Sequence, residues 1–317
     1  MSRLVHYSLS FLADTPRPDI VEQFAISVCT LREHNAGVPV ALFTWGGISD
    51  DLAAVCAEFD VLVHEQGSYA ARLAMLCPSG WPALVRYPLL HKFLNFRELA
   101  HSGASQVLYC DCDTIFRADV EILFDEYRTG DIVAREEVHT SRSAYGVDRS
   151  FIDEPLLARL CAHEGAAAIP PFNLGVVLFN DSVVRRLAAA GLERMFCDYA
   201  WRFVCWMAMN RAGTHQAFGE FLGAAEASQL AGPVEASRAL PFPSVNRWIL
   251  DEVALWLTLG HVPGLRMADF DPRDVAQNGE YAARDPAAAG WVLCHYFSQN
   301  LRRIDAWRRN DYMAEPA

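Results

Sequence analysis

The chain has 317 residues, 52% of them apolar, which is enough to bury a large core in one domain. A formal net charge of −12 excludes a broad phosphate-binding surface, so nucleic acid is not an expected partner. No apolar run reaches the roughly 18 to 20 residues of a membrane span and residues 1–8 lack a signal peptide's apolar segment, so no transmembrane segment and a cytoplasmic setting are expected.

In chain order, residues 4–11 read as a first strand, and residues 19–34 carry apolar positions at helical spacing before an Asn35-Ala36-Gly37 stop. Residues 40–44 form a second predicted strand closed by Gly46-Gly47. Ser49 or Asp50 then caps a short helix through Glu58, and residues 61–63 give a third strand. A loop rich in Gly, Pro and Ser precedes a helix predicted over 87–100, which leads into a strand ending at Asp111 and Asp113. Strands alternating with helices imply parallel pairing and a doubly wound α/β sheet. No Gly-x-Gly-x-x-Gly follows the first strand and no Walker loop occurs, which disfavours a dehydrogenase or a P-loop enzyme.

The second half is less regular. Residues 131–135 read as a strand, 136–165 as a polar stretch holding a short helix, and 170–180 as a strand. Within that strand, Asn173 and Gly175 mark either a plain loop-to-strand junction or a place where the backbone bulges or lets a ligand approach. Residues 181–209 have a helical pattern rich in Trp, Phe and Met, which is a core signature. Residues 246–256 form another predicted helix with Asp251 and Glu252 near its start; 291–297 is a last strand and 298–309 a basic tail. Neither a repeat nor a flexible linker interrupts the chain.

The run Val107-Leu108-Tyr109-Cys110-Asp111-Cys112-Asp113-Thr114-Ile115-Phe116 carries the strongest chemical signal. On an extended backbone alternate side chains share a face, so Asp111 and Asp113 converge on one ion while Cys112 turns inward. Hard oxygen ligands of this kind suit Mg²⁺ or Mn²⁺, and the carboxyl end of a buried strand is where open α/β sheets bind ligands. The alternative is that two acidic residues end a strand and face water. Lys92 is the only lysine among 27 basic residues, a compact charge that arginine does not reproduce. Nine scattered cysteines read as reduced, buried thiols, and Cys110-Asp111-Cys112 is not a zinc pattern because no second pair accompanies it.

These islands, in order, resemble the GT-A fold nucleotide-sugar glycosyltransferases, and most closely glycosyltransferase family 8 and its relatives. Arg86-Tyr87 and Lys92 precede the metal motif at the family's usual distance, and residues 107–115 are similar to its apolar strand with Asp-x-Asp-Thr. Phe172-Asn173-Leu174-Gly175-Val176 is similar to its Phe-Asn-Ser-Gly-Val segment, Asp251-Glu252-Val253-Ala254-Leu255 to its Asp-Gln-x-x-Leu segment, and His295-Tyr296-Phe297 falls where it places a metal-binding histidine. Two departures stand out: Leu174 replaces a small polar residue, and residues 298–303 lack the Gly-x-Lys that follows the family's histidine.

The resemblance implies a mainly parallel sheet flanked by helices, with a nucleotide-binding half over 1–135 and an acceptor half with a helical appendage over 136–317. It implies a nucleoside diphosphate sugar donor, expected to be a uridine diphosphate sugar, an acceptor that no motif specifies, and retention of anomeric configuration. Asp111, Asp113 and His295 would hold Mn²⁺ or Mg²⁺. Arg86, Asn173 and Gly175 would contact the donor, Lys92 would meet either the phosphates or a carboxylate of the metal motif, and His6, Tyr7 and Ser8 would lie near the nucleotide base unless they are core residues, the more common role for each taken singly. Arg302 or Arg303 would replace the missing lysine, since guanidinium pairs well with phosphate. Asp251 or Glu252, with Asn173, would face the reacting carbon or the acceptor hydroxyl. A phosphatase that uses Asp-x-Asp is disfavoured because its motif opens the chain, and a nucleotidyltransferase because residues 9–14 are neither Gly-rich nor basic. A non-catalytic binding scaffold of the same fold would require a broken metal site, yet all three ligands are present.

Overall fold

The computed structural model describes residues 2–11, 18–85, 88–136, 158, 161–180, 183–189, 191–209, 250–277 and 290–295. Its central sheet has seven strands, of which the inner ones are buried along almost their whole length. The seven are β1 (Arg3–Ser10), β2 (Val40–Trp45), β3 (Leu62–Glu65), β4 (Gln106–Cys110), β6 (Ile132–Glu136), β7 (Phe172–Asn180) and β8 (Met267–Asp269), in spatial order β3-β2-β1-β4-β7-β6-β8. Only β7 runs against its neighbours; every other pairing in the sheet is parallel. Alternation along β4 divides the core. Val107 and Tyr109 face one apolar cluster with Phe93, Phe179 and Trp256, while Leu108 and Cys110 face another with Tyr7, Phe24, Val28 and Leu42.

The helix α1 (Pro18–His34) and α2 (Asp50–Glu58) agree with the sequence reading, and Ser49 caps α2 by accepting a hydrogen bond from the Leu52 amide. The predicted loop after β3 instead folds into α3 (Tyr69–Leu76), capped by Ser68, and α4 (Trp81–Leu84). The helix predicted over 87–100 is two pieces, a 3₁₀ turn over Pro88–Phe93 and α5 (Phe96–His101). Asn95 divides them because its amide serves tertiary partners: Nδ2 donates to Ser8 Oγ (2.8 Å) and Oδ1 accepts from the Trp45 indole (3.2 Å).

The strand predicted to end at Asp113 also divides. β4 stops at Cys110, a turn carries Asp111 to Asp113, and β5 (Thr114–Phe116) begins a second sheet of order β5-β10-β9, followed by α6 (Glu121–Glu126). The other members of that sheet are β9 (Val275–Gln277) and β10 (Leu293–His295); β8 and β9 were too short for periodicity to show. The helical stretch after β7 breaks at Gly191, whose φ of +65° ends α7 (Val183–Ala189) before α8 (Leu192–Met209). α9 (Leu250–Leu259) carries Asp251 and Glu252 in its first turn. The described cysteines are free thiols, and among the described residues no helix is long and apolar enough to cross a membrane.

Gly46 closes β2 at φ +94°, where a Cβ would collide with the Phe11 carbonyl oxygen. Gly46→Ala should therefore destabilise the protein by about 2 kcal/mol or more, from backbone strain plus displacement of β1's end. Urea unfolding measures this; a loss below about 0.5 kcal/mol would refute the tight packing at this corner.

Candidate active site

Because β1 to β4 run parallel, their carboxyl ends share one edge, and the Asp111-to-Asp113 turn projects from that edge. β10 pairs antiparallel with β5, setting His295 opposite Thr114 and so beside Asp113. His295 Nε2 lies 3.3 Å from Asp113 Oδ1 and 3.9 Å from Asp111 Oδ2. One ligand atom from each of the three residues falls within 4.8 Å of the others. Two carboxylates with one imidazole form a donor set that fits a divalent cation of the Mn²⁺ type. The sequence argument placed the carboxylates on an extended strand; a turn between two sheets presents them instead, which is why a third ligand from β10 can reach them.

Lys92 stands behind this group on the 3₁₀ turn. Its Nζ is 2.8 Å from Asp111 Oδ2 and 3.7 Å from Asp251 Oδ2, and the residue is only 8% exposed. Burial opposes the ammonium charge, but Asp111 and Asp251 outweigh burial and hold its pKa above the ordinary lysine value. On the other side of Asp111, the Tyr109 hydroxyl donates to Oδ1 at 2.6 Å. Sequence reasoning missed Tyr109, although it sits two residues before Asp111 on the same strand face, a signal that alternation supplies. Burial raises the Asp251 carboxyl above its usual range, with Lys92 opposing and Asp111 adding to the rise.

Asn173 and Gly175 fit around His295. Asn173 Oδ1 accepts from the Gly175 amide (2.9 Å), so this end of the side chain is the carbonyl and the His295 Nδ1 at 3.0 Å must donate to it. In neutral His295 the lone pair is then on Nε2, aimed at the aspartates. A Cβ at Gly175 would collide with the imidazole, so the close approach foreseen at Gly175 is made by His295. Glu252 Oε1 accepts from Asn173 Nδ2 (3.3 Å) and from the Leu174 amide (3.2 Å), bracing β7 against α9. Asp251 has one carboxylate oxygen, Oδ1, that is buried without a hydrogen-bond partner.

The first-strand residues lie in the core, the alternative that the sequence left open for them. His6 and Tyr7 are fully enclosed and Ser8 is nearly so. His6 packs between Phe43 and Tyr109, and burial, with His91 and His64 adding, lowers its pKa to about 3. Ser8 anchors the lysine-bearing segment: its carbonyl accepts from His91 Nε2 (2.8 Å) and its hydroxyl from Asn95. Tyr7 meets the Ser27 hydroxyl, which in turn meets Thr114 at the end of the aspartate turn. These three residues support the site from within the core because β1 is an interior strand with both faces covered. Arg86, Arg302 and Arg303 lie outside the described residues.

No protein-family profile matches the chain, and no curated protein matches it. Solved structures do. An active-site mutant of LgtC aligns over 96% of this chain and 95% of its own, with a TM-score of 0.53 at 12% identity. The galactosyltransferase LgtC with donor and acceptor sugar analogues aligns over 93% and 87% (TM-score 0.48, 12% identity), and mouse xyloside xylosyltransferase 1 over 93% and 97% (TM-score 0.46, 10% identity). The LgtC mutant match establishes the fold: this chain is similar to GT-A glycosyltransferases along nearly its whole length.

The His295 and Asp113 pair gives a pH signature in metal-free protein. Burial disfavours the imidazolium, but Asp113 overrides it and raises His295 above 6.5; burial likewise opposes the Asp113 charge, while His295 lowers Asp113 below 3.8. Stability from His295 is complete below 6.5 and is lost as pH rises through its raised pKa; stability from Asp113 is present above 3.8 and is lost as pH falls through its lowered one. The unfolding free-energy difference between wild type and His295→Gln should therefore peak between 3.8 and 6.5 and shrink at alkaline pH. Urea titrations at stepped pH check this, and a difference that stays flat would show that the pair does not form.

Proposed function

We propose that the protein is a metal-dependent glycosyltransferase that moves a sugar from a nucleoside diphosphate donor, a uridine diphosphate sugar, to an acceptor hydroxyl with retention of configuration. The observation that carries this reading is the convergence of Asp111, Asp113 and His295 at the carboxyl edge of a GT-A sheet. Four carboxylates (Asp111, Asp113, Asp251, Glu252) surround the single ammonium of Lys92, and this excess of negative charge favours a cation. Mn²⁺ or Mg²⁺ held by the three ligands would supply charge stabilisation for the departing diphosphate.

The chain's own residues do the remaining work in this reading. Lys92 and the Tyr109 hydroxyl each take one oxygen of Asp111 and fix its orientation. Asn173 keeps the His295 lone pair on Nε2. Glu252 Oε1 is occupied by the backbone and side chain of β7, whereas Asp251 faces Lys92 beside Asp111, so Asp251 is the carboxylate of the pair assigned to the sugar or the acceptor hydroxyl. Residues 1–135 serve the nucleotide in this assignment and 136–317 the acceptor. Arg86 and Arg302 or Arg303 are assigned to the diphosphate on chemistry alone. A phosphatase reading fares worse, because the Asp111 oxygens are engaged by Lys92 and Tyr109 rather than free for attack.

A thermal-shift panel of nucleoside diphosphates with and without Mn²⁺ tests the reading. Uridine diphosphate with Mn²⁺ should raise the midpoint by several degrees, the size expected from roughly 2.7 kcal/mol of linkage at a hundredfold excess over Kd. Asp113→Ala should remove the metal dependence while the metal-free variant still unfolds in one cooperative transition, at a midpoint lowered by loss of the His295 pair. If no nucleotide gives metal-dependent stabilisation, the enzyme reading gives way to a binding scaffold of the same fold.

A further inference from the structure

Helix α1 carries a buried polar seam where an apolar face would have packed more simply. Phe24, Val28 and Leu31 join the apolar core, while Gln23, Ser27 and Thr30, at helical spacing, are buried polar residues, as is Asn35 just beyond the helix end. Each touches the segment that runs from the aspartate turn through β5 to the start of α6. The Cys112 thiol donates to Gln23 Oε1 (3.5 Å), Ser27 Oγ meets Thr114 Oγ1 (2.8 Å), the Phe116 amide donates to Thr30 Oγ1 (3.2 Å), and the Val120 amide donates to Asn35 Oδ1 (2.8 Å). The first three contacts fall at alternate residues 112, 114 and 116, so helical spacing on α1 matches strand spacing on its partner.

The centre of the seam has a fixed direction. Thr114 Oγ1 lies 2.9 Å from the Asp111 carbonyl oxygen, which can only accept, so Thr114 donates there and must accept from Ser27. Ser27 in turn accepts from the Tyr7 hydroxyl at 2.8 Å. The chain therefore runs Tyr7 to Ser27 to Thr114 to the Asp111 carbonyl, with each buried hydroxyl donating once. It ends by closing the turn from Asp111 to Thr114, the turn that aims the two carboxylates at His295. A surface turn would need no such tether, whereas a site that must hold ligand atoms in one arrangement does.

We propose that Tyr7, Ser27 and Thr114 are positioning residues that set cation affinity by holding the aspartate turn to α1. The inference rests on the reading that this turn binds a divalent cation, and the test separates the two. Mn²⁺ affinity is measured by electron paramagnetic resonance of the full chain without nucleotide, for wild type, Thr114→Val, Thr114→Ser and Ser27→Ala. Thr114→Val keeps the side chain's shape and removes the hydroxyl; it should weaken Mn²⁺ binding by about tenfold or more. Thr114→Ser restores the hydroxyl and should bind within about twofold of wild type, a rescue that a general loss of packing would not produce. Ser27→Ala, which touches no cation ligand, should weaken binding several-fold and carries the test if Thr114→Val does not fold. A wild type that binds no Mn²⁺ overturns the metal reading and the proposal with it. A wild type that binds Mn²⁺, with either folded hydroxyl-free variant binding equally well, overturns the proposal alone.

Discussion

A buried ammonium between a half-buried carboxylate and a buried one governs this molecule. An unpaired lysine at the depth of Lys92 would cost several kcal/mol, and it is tolerated because Asp111 and Asp251 lie within reach on opposite sides. Each partner comes from a different place in the chain: the 3₁₀ turn, the turn that follows β4 and the first turn of α9. The ion triplet consequently specifies how three segments distant in sequence dock, and it breaks if any one of them shifts. The unusual 3₁₀ geometry has a local cause in the same constraint. His91 and Asn95 flank Lys92 and both bond to Ser8, so the segment follows β1 instead of continuing as a regular helix.

Around that triplet, polar groups are satisfied in a strict order. Asn173 receives the Gly175 amide, which obliges His295 to donate from Nδ1 and leaves Nε2 for the aspartates. Glu252 then takes the other end of Asn173. A site with this connectivity has few alternative protonation arrangements, and that is the physical meaning of preorganisation here. Gly175 shows the steric side of the same requirement: the ring needs the space a side chain would fill, and no positive φ is involved, so packing alone demands glycine.

The sequence made the alternation of the first half legible, since β1, α1, β2 and α2 each carry enough residues for a period to register and punctuation at their ends. It also made the ligand types legible, because Asp-x-Asp after an apolar run has few uses. Tertiary override lay beyond it. Nothing local says that Asn95 will spend its side chain on Ser8 and Trp45, or that the chain changes sheets at Asp111, because both depend on partners 50 or more residues away. His6 and Tyr7 left two readings open, near the donor or in the core, for a related reason. Their chemistry is that of ligand-binding residues, and only the burial of β1 on both faces turns that chemistry inward.

The change of sheet at Asp111 bears on stability as well as geometry. Asp111 continues from β4 in the central sheet, Asp113 leads into β5, and His295 ends β10, so the three candidate ligands belong to two sheets. Without a cation, the carboxylates repel one another across that junction and are held by Lys92, by His295 in its protonated form, and by the Thr114 hydroxyl closing the turn. A cation bound by all three would stabilise the docked sheets by mass action, and the docked sheets would in turn favour the cation by the same free energy. Cation affinity and the integrity of the small sheet are therefore one quantity measured from two sides. The polar seam along α1 lies on that junction and holds β5 through Thr114 and Phe116.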